Sequence, residues 1–243
     1  MNLQGKIIII AGATGGIGEE LSRRLHKECS YLILLGRREE KLKSLKSELR
    51  DKCEYFVVDF KSKEGISNYI LQLKGKYKSI DVLIHVAGIG AYKTFEETTR
   101  DDWDESFDIN TKAPYFLTQG LLPIMNSNDS LVLTVGSGAG VIPMRGRSLY
   151  CATKFALRGM TLSLAEEFKG FNPSFCLITL GSTLTEFGPM TLEEKKKESE
   201  SGKAYFTPGW VAEKLVEIIK NENREVEYTL YPTDYNLGHW EKP

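Results

Sequence analysis

Residues 6–28 read KIIIIAGATGGIGEELSRRLHKE, and three signals in that stretch decide the fold. The run 6–11 is short, rich in β-branched residues and ends at glycine, as a buried strand does. An amphipathic helix is expected over 16–28. Between them, Gly12, Gly16 and Gly18 frame Thr14, Gly15 and Ile17 in a turn whose backbone can approach a pyrophosphate at a helix N-terminus. The same turn would serve a plain strand-to-helix connection. Its place after the first strand favours a dinucleotide.

The alternation continues outward from this unit. Further strands are expected at 31–35, 55–58, 82–86, 130–135, 174–180 and 227–231, and helices near 39–51, 63–77, 101–125, 149–168 and 208–221. Pro114 lacks an amide donor and should kink or divide the 101–125 helix. The product is an α/β fold: one Rossmann-type doubly wound parallel sheet of about seven strands, with helices on both faces and a ligand crevice at the strands' carboxyl ends. The whole chain, 1–243, is expected to form one domain.

Of the 243 residues, 41% are hydrophobic and 27% charged, enough for a large core, and the formal net charge is −1. Nothing long-ranged would steer a nucleic acid or an anionic membrane to such a chain, so a small-molecule partner is expected. Cys29, Cys53, Cys151 and Cys176 are scattered without a CxxC pair. They read as reduced, packed thiols of a cytoplasmic protein, and metal ligation by them is not expected. The apolar run 7–10 is too short to span a membrane and lacks the flanks of a cleavable signal.

Where a ribose-reading carboxylate would stand after the second strand, the sequence has Arg37 and Arg38. A guanidinium there can pair with a 2′-phosphate, which favours NADP(H) over NAD(H). The alternative is a solvated helix start shared with Glu39 and Glu40. Asp59 and Phe60 follow the third strand; Asp59 can accept from an adenine amino group or cap the following turn.

Tyr150 and Lys154, four residues apart, lie on one helical face, with Ser137 thirteen residues upstream. A free phenol titrates near 10, and lowering it by ~3 units requires roughly 4 kcal/mol, which an adjacent ammonium can supply. A Tyr/Lys pair at this spacing is also common on solvated helix edges.

GATGGIG, Asp59, Asn110, Ser137 and YCATK, in this order over residues 5–231, closely resemble the short-chain dehydrogenase/reductase family. The resemblance implies an oxidoreductase that moves a hydride between NADP(H) and a carbonyl or alcohol. Tyr150 would exchange the proton and Ser137 would polarise the carbonyl. Lys154 would lower the tyrosine pKa and hold the nicotinamide ribose, and Asn110 would anchor a water linked to Lys154. By the same analogy Ala87, Gly88, Gly181, Thr183 and Thr185 contact the cofactor. A non-enzymatic NADP(H) sensor on the same fold is the alternative.

The sequence departs from the family at His85-Val86, where two asparagines are usual, and at Leu180, where proline is usual. His85 is expected to act as a structural donor, while Leu180 puts the rigidity of its loop in doubt. Tyr92, Val141, Met144 and Phe187 are expected around a mostly hydrophobic substrate, with 182–207 as a mobile lid or, over 192–200, a charged surface helix. Arg145 and Arg147 are either solvent-facing cations or readers of an anionic substrate group. The polar end after the last strand makes acyl-carrier-protein reduction less attractive. The small residues Ala152, Ala156 and Gly159 suggest a helix face for a homodimer or homotetramer.

Overall fold

The computed structural model describes residues 1–28 and 31–240, so Cys29 lies outside the described residues. Strands β1 (Ile7–Ala11), β2 (Tyr31–Gly36), β3 (Cys53–Val57), β4 (Val82–His85), β5 (Leu131–Val135), β6 (Ser174–Leu180) and β7 (Glu227–Leu230) form one sheet in the order β3-β2-β1-β4-β5-β6-β7. Every pairing is parallel. Helices α1 (Gly16–Lys27), α2 (Glu39–Leu49), α3 (Lys63–Lys76), α4 (Arg100–Phe107), α5 (Ala113–Leu121), α6 (Ser148–Glu167), α7 (Leu192–Glu200) and α8 (Pro208–Lys220) complete the chain. The expected α/β class and strand number hold. The third strand starts earlier than expected, because Cys53 pairs with Leu32 after Lys52 turns the chain at φ +58°.

Alternation along β1 explains the two-sided core. Ile8 and Ile10 join one apolar cluster with Leu21 and Leu25 of α1 and Val211 and Leu215 of α8. Ile9 and Ala11 join the opposite cluster with Leu73 of α3 and Leu117 and Leu121 of α5. Successive strand residues point to opposite faces, so a strand covered by helices on both sides must be apolar throughout. Ile8, Ile9 and Ile10 are fully buried, each contributing about 1.5–3 kcal/mol of transfer free energy.

The long helix expected before β5 is divided as Pro114 requires. α4 passes into a π-turn over Asp108–Lys112, and α5 resumes with Pro114 in its first turn. The proline ring occupies the place where the carbonyl four residues back, that of Asn110, would find its helical donor, and a wider turn relieves the clash. The segment expected as either lid or surface helix contains α7, capped reciprocally by Thr191 and Glu194.

His85 ends β4 as a structural residue. Its Nε2 lies 2.8 Å from Thr118 Oγ1 on α5, both buried, and burial pushes the imidazole pKa down to about 3. Between about pH 6.5 and 3 the unfolded chain binds a proton there that the folded chain refuses, so this group withdraws stability as pH falls through that window. Thr118→Val keeps the shape and removes the partner. The urea midpoint should fall by the equivalent of about 1–3 kcal/mol with an unchanged m-value.

Candidate active site

A cavity of about 770 Å³ opens at the carboxyl ends of the strands, lined by the turns after β1 and β4. One side is backbone. Gly12 sits at φ +103°, and a Cβ there would fall 2.4 Å from Ala87 N. A Cβ on Gly18 would fall 2.2 Å from Gly12 O. Only glycine allows these approaches. Helix α1 then begins with Gly15 as its N-cap and no side chain satisfying its first amides, which leaves donors for an anion where Gly15 to Gly18 line the cavity.

Arg38 reaches back over this turn, donating from Nε to Thr14 Oγ1 at 3.3 Å and from Nη2 to the Thr14 carbonyl. Arg37 is exposed on the cavity wall and has no hydrogen bond or ion pair among the described residues. Asp59 and Phe60 line the same end. Asp59 also accepts from Lys61 N at 3.0 Å, so the turn-capping role is present too. These features fit a phosphorylated dinucleotide: a glycine cradle, free helix amides and an uncommitted guanidinium.

The opposite side carries the candidate chemistry. Ser137 leaves β5 in extended conformation, and its Oγ accepts from Ala139 N at 3.1 Å. Tyr150 and Lys154, both buried, project from α6 into the same cavity, with Lys154 Nζ 5.8 Å from the Tyr150 ring centre. Tyr92 stacks on Tyr150 at 5.9 Å and 28°, and Phe187 leans on it at 5.9 Å. Burial raises the Tyr150 phenol pKa above its ordinary value, while a hydrogen bond with Ser137 and the charge of Arg147 act in the opposite direction. Burial also pushes the Lys154 ammonium down to about 8. A dry wall disfavours either charge, and the charge of Arg147 opposes that effect on the phenol.

Asn110 and Val141 stand off the cavity wall. The Asn110 side chain does not reach the cavity: Oδ1 accepts from Ile89 N at 2.9 Å, and Nδ2 donates to Ile89 O at 2.9 Å and Thr153 Oγ1 at 3.1 Å. It clamps the chain beyond Gly88 to α6, so its side chain is a positioning group. Val141 is exposed and off the cavity, because the 3₁₀ turn Gly138–Gly140 directs Ala139, Ile142 and Met144 inward instead. Ala87, Gly88, Gly181, Thr183, Thr185, Tyr92 and Phe187 all line the wall. The loop after Leu180 is held by Gly181 N to Leu230 O at 2.8 Å and Phe206 N to Ser182 O at 2.9 Å.

Residues that local reading missed arrive from far along the chain. Lys195 on α7 donates to the carbonyls of Thr185, at 2.8 Å, and Phe187. Lys203, Tyr205, Tyr231 and Trp240 complete the rim. The 191–194 capping pattern announces α7; no local signal announces Trp240.

The family profile described as short chain dehydrogenase matches residues 6–196. The chain belongs to the short-chain dehydrogenase family. It is accordingly an oxidoreductase acting on a small molecule. It is 35% identical over 168 residues to a 3-oxoacyl-[acyl-carrier-protein] reductase, FabG, of Rickettsia bellii, covering 69% of this chain and 68% of that protein. It is 31% identical over 166 residues to the NADP-dependent 3-hydroxy acid dehydrogenase YdfG of Escherichia coli (strain K12), covering 68% and 67%. Among solved structures, the closed form of a serine dehydrogenase complexed with NADP+ superposes with a TM-score of 0.83 at 27% identity, covering 94% of this chain and 95% of that one.

Because the three atoms nearest a Cβ at position 18, at 2.2–2.9 Å, all belong to backbone, Gly18→Ala in this short-chain dehydrogenase cannot be absorbed by side-chain movement. The variant should lose more than about 1 kcal/mol, read as a fall of at least about 2–4 °C in Tm.

Proposed function

We propose that the protein is an NADP(H)-dependent reductase of a carbonyl compound, with Tyr150 as proton donor and Ser137 and Lys154 as its partners. The observation that carries this reading is the convergence of those three side chains on one wall of a cavity whose other wall is the glycine cradle. When bound, NADPH supplies the hydride. The chain's own groups handle the rest. The buried Tyr150 holds its proton at neutral pH, the state in which it can deliver that proton to the carbonyl oxygen. Ser137 donates to the same oxygen as negative charge develops on it. Lys154, with its pKa near 8, remains mostly protonated and offsets the charge left on the phenolate. Asn110 holds the Ile89 backbone beside them.

NADP(H) is preferred over NAD(H) because Arg37 stands free at the ribose end and no carboxylate occupies 36–38 to repel a 2′-phosphate. The NADP-dependent YdfG relative and the NADP+ complex of serine dehydrogenase support this choice. Residues 182–207 serve as the substrate lid of a single domain. The Lys195 bonds to the carbonyls of Thr185 and Phe187 couple α7 to the loop that carries Phe187.

Phe116 and Phe155 are about half exposed, and Trp103 on α4 and Tyr115 on α5 are exposed as well. With Ala152, Ala156 and Gly159 on α6 they form the face of a homodimer or homotetramer. Among the described residues no helix is long and apolar enough to cross a membrane, and the proposed location is the cytoplasm.

Tyr150→Phe should lower kcat with a carbonyl panel by at least about 10²–10⁴-fold, the range of a lost general acid, while NADPH binding by fluorescence persists. Retained turnover would overturn the assignment. Arg37→Ala should reduce the NADPH-over-NADH preference in kcat/KM by about tenfold or more.

A further inference from the structure

Besides Lys154, which faces Tyr150, three cations border the cavity on this side, and two of the three are committed. Lys195 Nζ donates to the carbonyls of Thr185 and Phe187. Lys203 Nζ pairs with Glu198 at 2.8 Å. Arg147 differs. Its guanidinium carbon lies 5.0 Å from the centre of the Tyr92 ring, and its polar contact among the described residues is Nη1 to Met144 Sδ at 3.5 Å. Among the described residues no carboxylate or carbonyl oxygen engages it. A guanidinium stacked on an aromatic face keeps its edge of donors available for a planar anion.

The surroundings select the same charge. The acidic residues of the cavity wall stand elsewhere: Asp59 follows β3, and Glu186 faces Lys41 of α2 at 3.9 Å. Helix α6 begins at Ser148 with no side-chain cap on its first amides, so the positive end of its dipole lies beside Arg147. Tyr92, between Arg147 and Tyr150, touches both. The guanidinium is therefore one ring away from the candidate proton donor, and its charge acts on that phenol. Phe187, Tyr205 and Trp240 on the remaining walls offer aromatic surface, which suits a compact carbon skeleton.

We propose that Arg147 is the receptor for a carboxylate on the substrate, and that the substrate is a short oxo acid reduced to a hydroxy acid. The assignment rests on the reading of Tyr150 as proton donor. One free guanidinium matches the two oxygens of a carboxylate in a planar pair, while Lys154 faces the Tyr150 ring and serves the proton donor. The carboxylate takes no part in bond changes. The carbonyl carbon gains the hydride supplied by NADPH, the C=O π pair moves to oxygen, and oxygen takes the Tyr150 proton.

The test is calorimetric titration of the enzyme saturated with NADP+, using 2-, 3- and 4-hydroxybutanoate and the corresponding amides as probes. At least one acid should bind about tenfold or more tightly than its amide to the unmodified protein, the scale of one charge-assisted pair. Arg147→Met should bring that ratio below about twofold, and Arg147→Lys, a point charge without the fork, should leave an intermediate value. Arg145→Ala removes an exposed cation that lies off the cavity and should keep the full ratio. Equal NADP+ affinity across the variants checks that each is folded. Three results would overturn the inference: no distinction between acid and amide, a distinction that survives Arg147→Met, or binding of neither probe. Acid binding that needs Arg147 without hydride transfer to any carbonyl would uphold it and count against the Tyr150 chemistry. Turnover of neutral carbonyls with no preference for acids would do the reverse.

Discussion

The architecture depends on how closely two backbone turns can pass at the point where the sheet reverses its winding. Gly12, at φ +103°, lies where a single methyl group would meet Ala87 N at 2.4 Å. That approach joins the loops after β1 and β4, and it leaves the crevice between the two halves of the sheet lined by main chain on one side. Ala87 N and Val86 N both donate to Ala11 O, at 2.8 and 2.9 Å, which fixes the separation. A larger residue at 12 would move β4, and with it Gly88, Ile89 and the Asn110 clamp that steadies α6.

Burial then sets the chemistry on the other side. The environment that makes His85 a neutral structural residue also holds Tyr150 protonated and lowers the Lys154 pKa to about 8. The cost of a charge in a dry wall is common to all three, and partners decide what each residue does with it. His85 has Thr118 and serves the core. Tyr150 has Ser137, the ring of Tyr92 and the field of Arg147, so its proton is held but opposed. A wall that tolerates few charges also makes an unpaired guanidinium such as Arg147 a strong attractor for an anionic group.

Much of this was legible in the order of residues. Four isoleucines followed by GATGGIG, and six further apolar runs at regular intervals, specify a parallel sheet, because strands covered on both faces must be apolar throughout. Pro114 marked the break in the long helix, since a missing amide acts locally. Tyr150 and Lys154 were legible as a pair because helical periodicity places i and i+4 together whatever surrounds them. Similarly, Arg37 and Arg38 were visible, but their division of labour was not. Arg38 is held by Thr14, 24 residues away, and Arg37 is left open.

What the sequence determined by itself was the set of local elements, the glycine cradle and the residue types available for proton and hydride chemistry. These follow from backbone sterics, periodicity and side-chain chemistry, which act over a few positions. Only the tertiary structure decided which groups share a cavity and how dry it is. It turned the Asn110 side chain into a clamp, directed Val141 outward, brought Lys203 and Trp240 to the rim from the chain after α7, and separated Arg147 from Arg145. The physical reason is that burial and electrostatic partnership depend on residues distant along the chain, whose approach is set by packing.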